Sequence, residues 1–159
     1  MTPTTLLLGL GNTLLTDEAA GPLVVERLKA EDQTEGRILY LDGGTLSFTL
    51  AGPIADCQRL IVVDAAAMGT PPGTVQVFEG MAMDRQLSLH AKTVHEVSLA
   101  DLFDIARLTD TLPERRALVG IEPAVVDWGS EPTPVVQAAI PEAMARVHDL
   151  IAAWDAEAA

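Results

Sequence analysis

The chain alternates between short, continuously apolar runs and longer stretches in which apolar residues recur at helical spacing. Residues 5–10 are apolar and closed by glycine, and read as a buried strand. Residues 18–29 follow as a helix, with Val24, Leu28 and the small Ala20 and Gly21 on one side. Residues 37–41 form a second strand closed by Asp42-Gly43-Gly44. Residues 46–55 are predicted helical, interrupted near Pro53. Residues 59–63 form the most hydrophobic strand, ending in Asp64. This β-α-β-α-β rhythm predicts parallel strands covered by helices.

Beyond Asp64 the pattern changes. Residues 65–73 carry Gly69, Pro71, Pro72 and Gly73 and lead into an alternating strand at 74–79. The connection is too short for a helical crossover, so this strand is expected to run antiparallel at an edge. Residues 80–94 show little periodicity and read as a long return loop. His95 is expected to begin a helix with Leu99, Leu102, Phe103 and Ala106 behind it. Residues 115–121 make a fifth strand. Pro134 suits the first position of a last helix, which Pro141 should kink or restart. The expected fold is one three-layer α/β/α domain over residues 1–159. Its five-stranded sheet is mostly parallel, with one antiparallel edge strand.

Composition narrows the function classes. Hydrophobic residues make up 48% of the 159, which fits a folded α/β protein. No apolar run approaches the ~20 residues of a membrane span. The N-terminus lacks the charge and the ~7–15-residue apolar core of a signal peptide. A cytoplasmic protein with no membrane contact is expected. The net charge of −13 argues against nucleic acid, whose phosphates need Lys and Arg. It is compatible with a basic partner, a bound cation, or solubility alone. Cys57 is the only cysteine, which excludes an internal disulfide and a thiolate cluster.

In open parallel sheets, ligands lie beyond the carboxyl ends of the strands. The first strand leads to Asp17 and Glu18, the second ends at Asp42, and the third at Asp64. His95 opens the helix that follows the return loop. Carboxylates with an imidazole suit a borderline divalent metal such as nickel, zinc or iron. Each residue also has an ordinary account. Asp17 and Glu18 in a helix's first turn complement its dipole by ~0.3–1 kcal/mol. Asp42 before two glycines suits a turn. His95, on the stripe of Leu99 and Leu102, suits a satisfied core histidine. Asp64 is the hardest to account for in this way, because a carboxylate ending a buried strand is costly unless paired. His90 in the return loop and His148 in the last helix carry less weight. Cys57 reads as a small core residue, and Met68, Met81 and Met83 as packing or as an adaptable surface.

The chain resembles the [NiFe]-hydrogenase maturation endopeptidases. The resemblance rests on Gly9-Leu10-Gly11-Asn12-Thr13-Leu14-Leu15-Thr16-Asp17-Glu18-Ala19-Ala20-Gly21, Asp42-Gly43-Gly44-Thr45 and Val62-Val63-Asp64-Ala65. Pro72-Gly73-Thr74, His95 with Leu99-Ala100-Asp101-Leu102, and Gly120-Ile121-Glu122-Pro123 follow in family order. It implies an aspartic-type endopeptidase, by family label, that makes one cut near the C-terminus of the large-subunit precursor once nickel has been inserted. The nickel belongs to the substrate, and the enzyme needs no stable cofactor of its own. Glu18, Asp64 and His95 are the implied metal-recognising residues. Asp42 is implied in a supporting or catalytic role, so Asp42 and Asp64 are the candidate bases for water attack. No Gly-x-Ser-x-Gly elbow or supported Cys/His pair is present, which disfavours a covalent nucleophile. A monomer is expected.

Two other readings compete. Gly9-Leu10-Gly11 after a strand suggests a dinucleotide site, but Leu14 stands where the third glycine belongs. Asp42 also falls later than the ~20 residues expected, and Asp17 and Glu18 would repel a pyrophosphate. A nickel chaperone would use the same Glu/Asp/His set without cutting.

Overall fold

The computed structural model describes residues 4–44, 48–89 and 98–158. Its strands are β1 (Thr5–Leu10), β2 (Ile38–Gly44), β3 (Arg59–Ala65), β4 (Val75–Glu79) and β5 (Arg115–Ile121). They form one sheet in the order β2-β1-β3-β5-β4. β1 pairs in parallel with β2 and β3, and β3 with β5, whereas β4 runs antiparallel to β5 at the edge. The helices are α1 (Ala20–Ala30), α2 (Ala51–Asp56), α3 (Met81–Leu89), α4 (Leu99–Leu108) and α5 (Pro134–Ala158). α1 and α5 close one face over Leu7, Ile61, Val63 and Val119. α2, α3 and α4 close the other over Leu8, Val62 and Leu118, with Ile54, Met83 and Phe103 among their contributions. The expected three-layer α/β/α sandwich is the observed one.

Several elements differ in detail from the sequence reading. β2 runs on through Asp42-Gly43-Gly44, because its pairing with β1 continues past a bulge, Gly9 opposite Asp42 and Leu10 opposite Gly44. A 3-10 turn, Thr16–Ala19, precedes α1, so the α-helix proper begins at Ala20 rather than Glu18. Pro53 does not interrupt α2. It sits in the first turn, where its missing N–H has no helical acceptor to lose. α5 likewise continues through Pro141 without a restart. Residues 81–89 form α3, not a loop. Few of its side chains face the core, and Arg116 of β5 grips its Asp84 with two hydrogen bonds of 2.9 and 2.6 Å. α4 begins at Leu99, not at His95. Ser98 is its N-cap in extended conformation, with a reciprocal capping box to Asp101. His90 and His95 lie outside the described residues.

The glycine segment serves helix packing. A Cβ at Gly21 would stand 2.4 Å from both the Leu10 and the Val63 carbonyl oxygens. The first turn of α1 therefore rests directly on the backbones of β1 and β3. Gly11, at φ +138°, passes so close under the Glu18 carbonyl that any side chain would collide with it. This close approach fixes where Glu18 stands relative to the end of β1.

Two buried carboxylates tie down the loops at the same sheet edge. Asp17, fully buried, accepts from the backbone N–H groups of Ala124, Val125 and Thr133 at 2.7–2.8 Å, and from the Thr133 hydroxyl. Glu122 accepts from the N–H groups of Met68 (2.7 Å) and Thr70 (3.1 Å) and from the Thr70 hydroxyl. Burial by itself would raise both pKa values. The hydrogen bonds, from Val125, Thr133 and Ala124 in one case and from Met68 and Thr70 in the other, outweigh it and hold both below their ordinary values.

Two stability predictions follow from these contacts. Gly21→Ala should cost at least about 3 kcal/mol in urea unfolding; a loss under about 1 kcal/mol would mean that α1 can lift from the sheet. Asp17→Asn should cost on the order of 3 kcal/mol at neutral pH, since an amide leaves part of the donor set unsatisfied. Depressed folded pKa values mean that the unfolded chain takes up protons first. The stabilisation is therefore complete above the ordinary values of 3.8 and 4.5 and is lost as pH falls through the lower folded values. Thermal unfolding followed from pH 7 to 3 should show this decline in the wild type and a shallower one in Asp17→Asn.

Candidate functional site

Chain order and sheet order together place the site. From β1 the chain crosses to β2 on one side, then returns to β3 on the other, so the crevice between the carboxyl ends of β1 and β3 is the topological switch point. Glu18 stands there in the 3-10 turn after β1, and Asp64 stands there near the end of β3. Both line one pocket of about 300 Å³. Asp64 shares the parity of Leu60 and Val62, whose side chains face the α2–α3–α4 layer, and the pocket opens on that face. Its other walls include Leu10, Leu118, Leu87, Leu99 and Val126.

The surroundings of the two acids are mostly apolar. Glu18 is half-buried, and one of its carboxylate oxygens lies 3.4 Å from the backbone N–H of Asn12, a long hydrogen bond. Asp64 is half-buried as well. Gln86 of α3 lines the same pocket, and its buried amide nitrogen has no hydrogen-bond partner among the described residues. Ser98, the N-cap of α4, closes another part of the wall.

Asp42 lies elsewhere. Its parity is that of Ile38 and Tyr40, which pack against the α1–α5 core, and it lines a separate cavity of about 580 Å³ with Tyr40, Pro22 and Glu26. It is exposed, and its carboxylate accepts from the Gly44 N–H at 2.8 Å, the hydrogen bond of a turn former. The structure thus brings Glu18 and Asp64 together and leaves Asp42 across the sheet from them. His95 belongs to the segment outside the described residues. Among the described residues, no group of three His, Cys, Asp or Glu side chains forms a metal-holding cluster.

The remaining candidates separate from the pocket. Asp17 is fully buried, does not line the pocket and is satisfied by its backbone donors. Cys57 sits before β3, at the opposite end from Asp64. It donates to the Ile54 carbonyl, and burial pushes its thiol up to about 11. His148 is exposed on α5. Met83 is a core residue, Met68 is half-buried and Met81 is exposed, so the three do not share one surface. Sequence reasoning missed Gln86 and the walls supplied by Val126 and Ser98. Ser98 was signalled by the capping pattern Ser98-Leu99-Ala100-Asp101. Gln86 had no comparable signal.

Known proteins match both the sequence and the fold. The family model described as hydrogenase maturation protease matches residues 22–150. The chain is 34% identical to the hydrogenase 2 maturation protease of Escherichia coli (strain K12) over 143 residues, covering 89% of this chain and 87% of that protein. It is 30% identical to the hydrogenase expression/formation protein HoxM of Cupriavidus necator, covering 92% of this chain and 73% of that protein. Among solved structures, it resembles the hydrogenase maturating endopeptidase HybD from E. coli with a TM-score of 0.81 and 33% identity, over 91% of this chain and 89% of that one. The solution structure of an endopeptidase from Escherichia coli gives a TM-score of 0.85 at 32% identity, over 93% and 91%. With its extent of match and its shared fold, the chain belongs to the hydrogenase maturation protease family, peptidases that serve hydrogenase maturation.

Proposed function

We propose that this protein removes the C-terminal extension from the nickel-loaded precursor of a [NiFe] hydrogenase large subunit, and that Glu18, Asp64 and His95 recognise the nickel carried by that substrate. The observation that carries this reading is the convergence of Glu18 and Asp64, 46 positions apart in sequence, on one pocket at the switch point. Two half-buried carboxylates among apolar walls favour a cation over an anion. His95 enters from the family resemblance. It precedes the pocket residue Ser98 by three positions, a length of chain that spans at most ~11 Å.

Hydrolysis here needs no protein nucleophile. The substrate's nickel acts as a Lewis acid toward the scissile carbonyl, and a carboxylate takes a proton from the attacking water. The water oxygen bonds to the carbonyl carbon, the C–N bond breaks, and the proton passes to the departing amine. Of the two acids considered as base, Asp64 is favoured, because it shares the pocket with Glu18 while Asp42 does not. Gln86 supplies an amide donor, without a partner among the described residues, suited to a peptide carbonyl. In this reading the enzyme holds no stable cofactor of its own, binds no nucleic acid, and works as a monomer in the cytoplasm. Among the described residues, no helix is long and apolar enough to cross a membrane.

Incubation with nickel-loaded and nickel-free precursor, followed by intact-mass measurement, tests the reaction. The loaded form alone should lose its extension; a stable complex with no mass change in either form would point to a chaperone instead. Glu18→Gln and Asp64→Asn should each lower the processing rate by about 100-fold or more with unchanged thermal stability. Asp42→Asn should lower it by less than about ten-fold, and the reverse ranking would make Asp42 the base.

A further inference from the structure

The Glu18–Asp64 pocket continues outward onto an apolar strip. Val126, half exposed at 50%, belongs both to the pocket wall and to the protein surface. Next to it lie Val125, Trp128 at 78% exposure and Leu14 at 57%. These residues come from two segments that are bonded to each other. The Asp17 N–H donates to the Val125 carbonyl, the Thr16 N–H to that of Gly129, and the Gly129 N–H to that of Leu14, all at 3.0–3.1 Å. Leu15 and Gly129 form a parallel bridge.

The strip is held from beneath by the Asp17 carboxylate, whose donors are the N–H groups of Ala124, Val125 and Thr133. Isolated exposed apolar residues are ordinary. Four gathered on two segments that are bonded to each other, beside the pocket and fixed by a buried charge, mark an interaction site. Its electrostatics narrow the occupant further. Asp127 is the one charged residue within 124–130, beside four exposed apolar side chains, so an apolar segment is held there by burial of surface rather than by charge.

We propose that Leu14, Val126 and Trp128 form the docking strip for the polypeptide substrate. On it lies an extended, uncharged, apolar segment of the precursor adjoining the bond to be cut. This rests on the endopeptidase reading given above. Trp128 lies two residues beyond Val126, at most ~7 Å of chain, so the strip spans a few substrate residues beside the pocket. Exposed aromatic side chains of this kind dominate binding at interfaces.

Steady-state processing of nickel-loaded precursor tests the proposal. Trp128→Ser should raise KM about ten-fold or more while kcat stays within about two-fold, and Trp128→Phe should restore most of the loss. Thermal stability should not move, since the side chain is largely in solvent. Independently of cleavage, protein carrying 5-fluorotryptophan has two indole signals. Adding nickel-loaded precursor should shift that of exposed Trp128 and leave that of buried Trp154 in place. An unchanged KM in Trp128→Ser, or an unmoved Trp128 signal, overturns the docking strip while wild-type cleavage still upholds the endopeptidase. Loss of cleavage in the wild type with the Trp128 shift retained overturns the endopeptidase and upholds the strip. A Trp128→Ser effect confined to self-association in sedimentation would assign the surface to a second copy and overturn the proposal.

Discussion

Asp17 is the point on which the carboxyl edge of this sheet depends. An ionised carboxylate removed from water is costly by several kcal/mol unless hydrogen bonds replace its hydration. Here they come from backbone groups more than a hundred residues away in sequence. One side chain therefore fixes the turn after β1 to the loop before α5, and with it three things: the position of Glu18 next in the chain, the Val126 wall of the pocket, and the outward aim of Trp128. Glu122 does the same on the far side of β3 by gathering the 68–70 turn. The frame is electrostatic where the rest of the domain is held by apolar packing on both sheet faces.

This arrangement sorts the acids by environment. Asp17 and Glu122 have their oxygens supplied with donors and their pKa values held low, which marks them as structural. Glu18 has one long hydrogen bond and faces an apolar pocket. A depressed pKa here locates the scaffold rather than the chemistry, because a carboxylate already satisfied by backbone N–H groups has little left to offer a ligand. The acids suited to a cation are those whose protein partners leave coordination to be completed.

How much of this was legible follows from the range of each interaction. β1 and β5 were readable at both ends, each carrying a short buried apolar run, residues 6–10 in one and 117–121 in the other. The antiparallel β4 followed from the length of the connection before it. α3 was not readable, because its placement depends on the Asp84–Arg116 pair between residues 32 positions apart, and its apolar positions are too few to show a period. Strand ends gathered Glu18, Asp42 and Asp64 at one edge of the sheet, and Glu18 and Asp64 line one pocket there. Asp42 lines a separate cavity, because its place in β2 turns it to the face of Ile38 and Tyr40, a choice of face that the position of a strand end does not reveal. The role of Asp17 was invisible for a similar reason: helix-dipole reasoning sees only neighbours in sequence, and all of its carboxylate's donors are distant.

The glycine segment shows why a motif's physics should be read before its label. Glycines after a first strand permit close approach, but they do not say what approaches. In a nucleotide site it is a phosphate resting on a helix N-terminus. Here Gly21 admits the strand backbones themselves, and Gly11 admits the Glu18 carbonyl. The helix is thereby drawn down onto the sheet, and the space a phosphate would need is occupied by protein. What remains open at the switch point is the side of the crevice under α3 and α4, walled by Leu10, Leu118 and Leu99 and carrying Glu18 and Asp64. Two carboxylates brought to one pocket with largely apolar walls repel one another, and a positive centre arriving with the substrate relieves that repulsion. In the proposed reaction, this makes cutting conditional on the metal that the precursor brings.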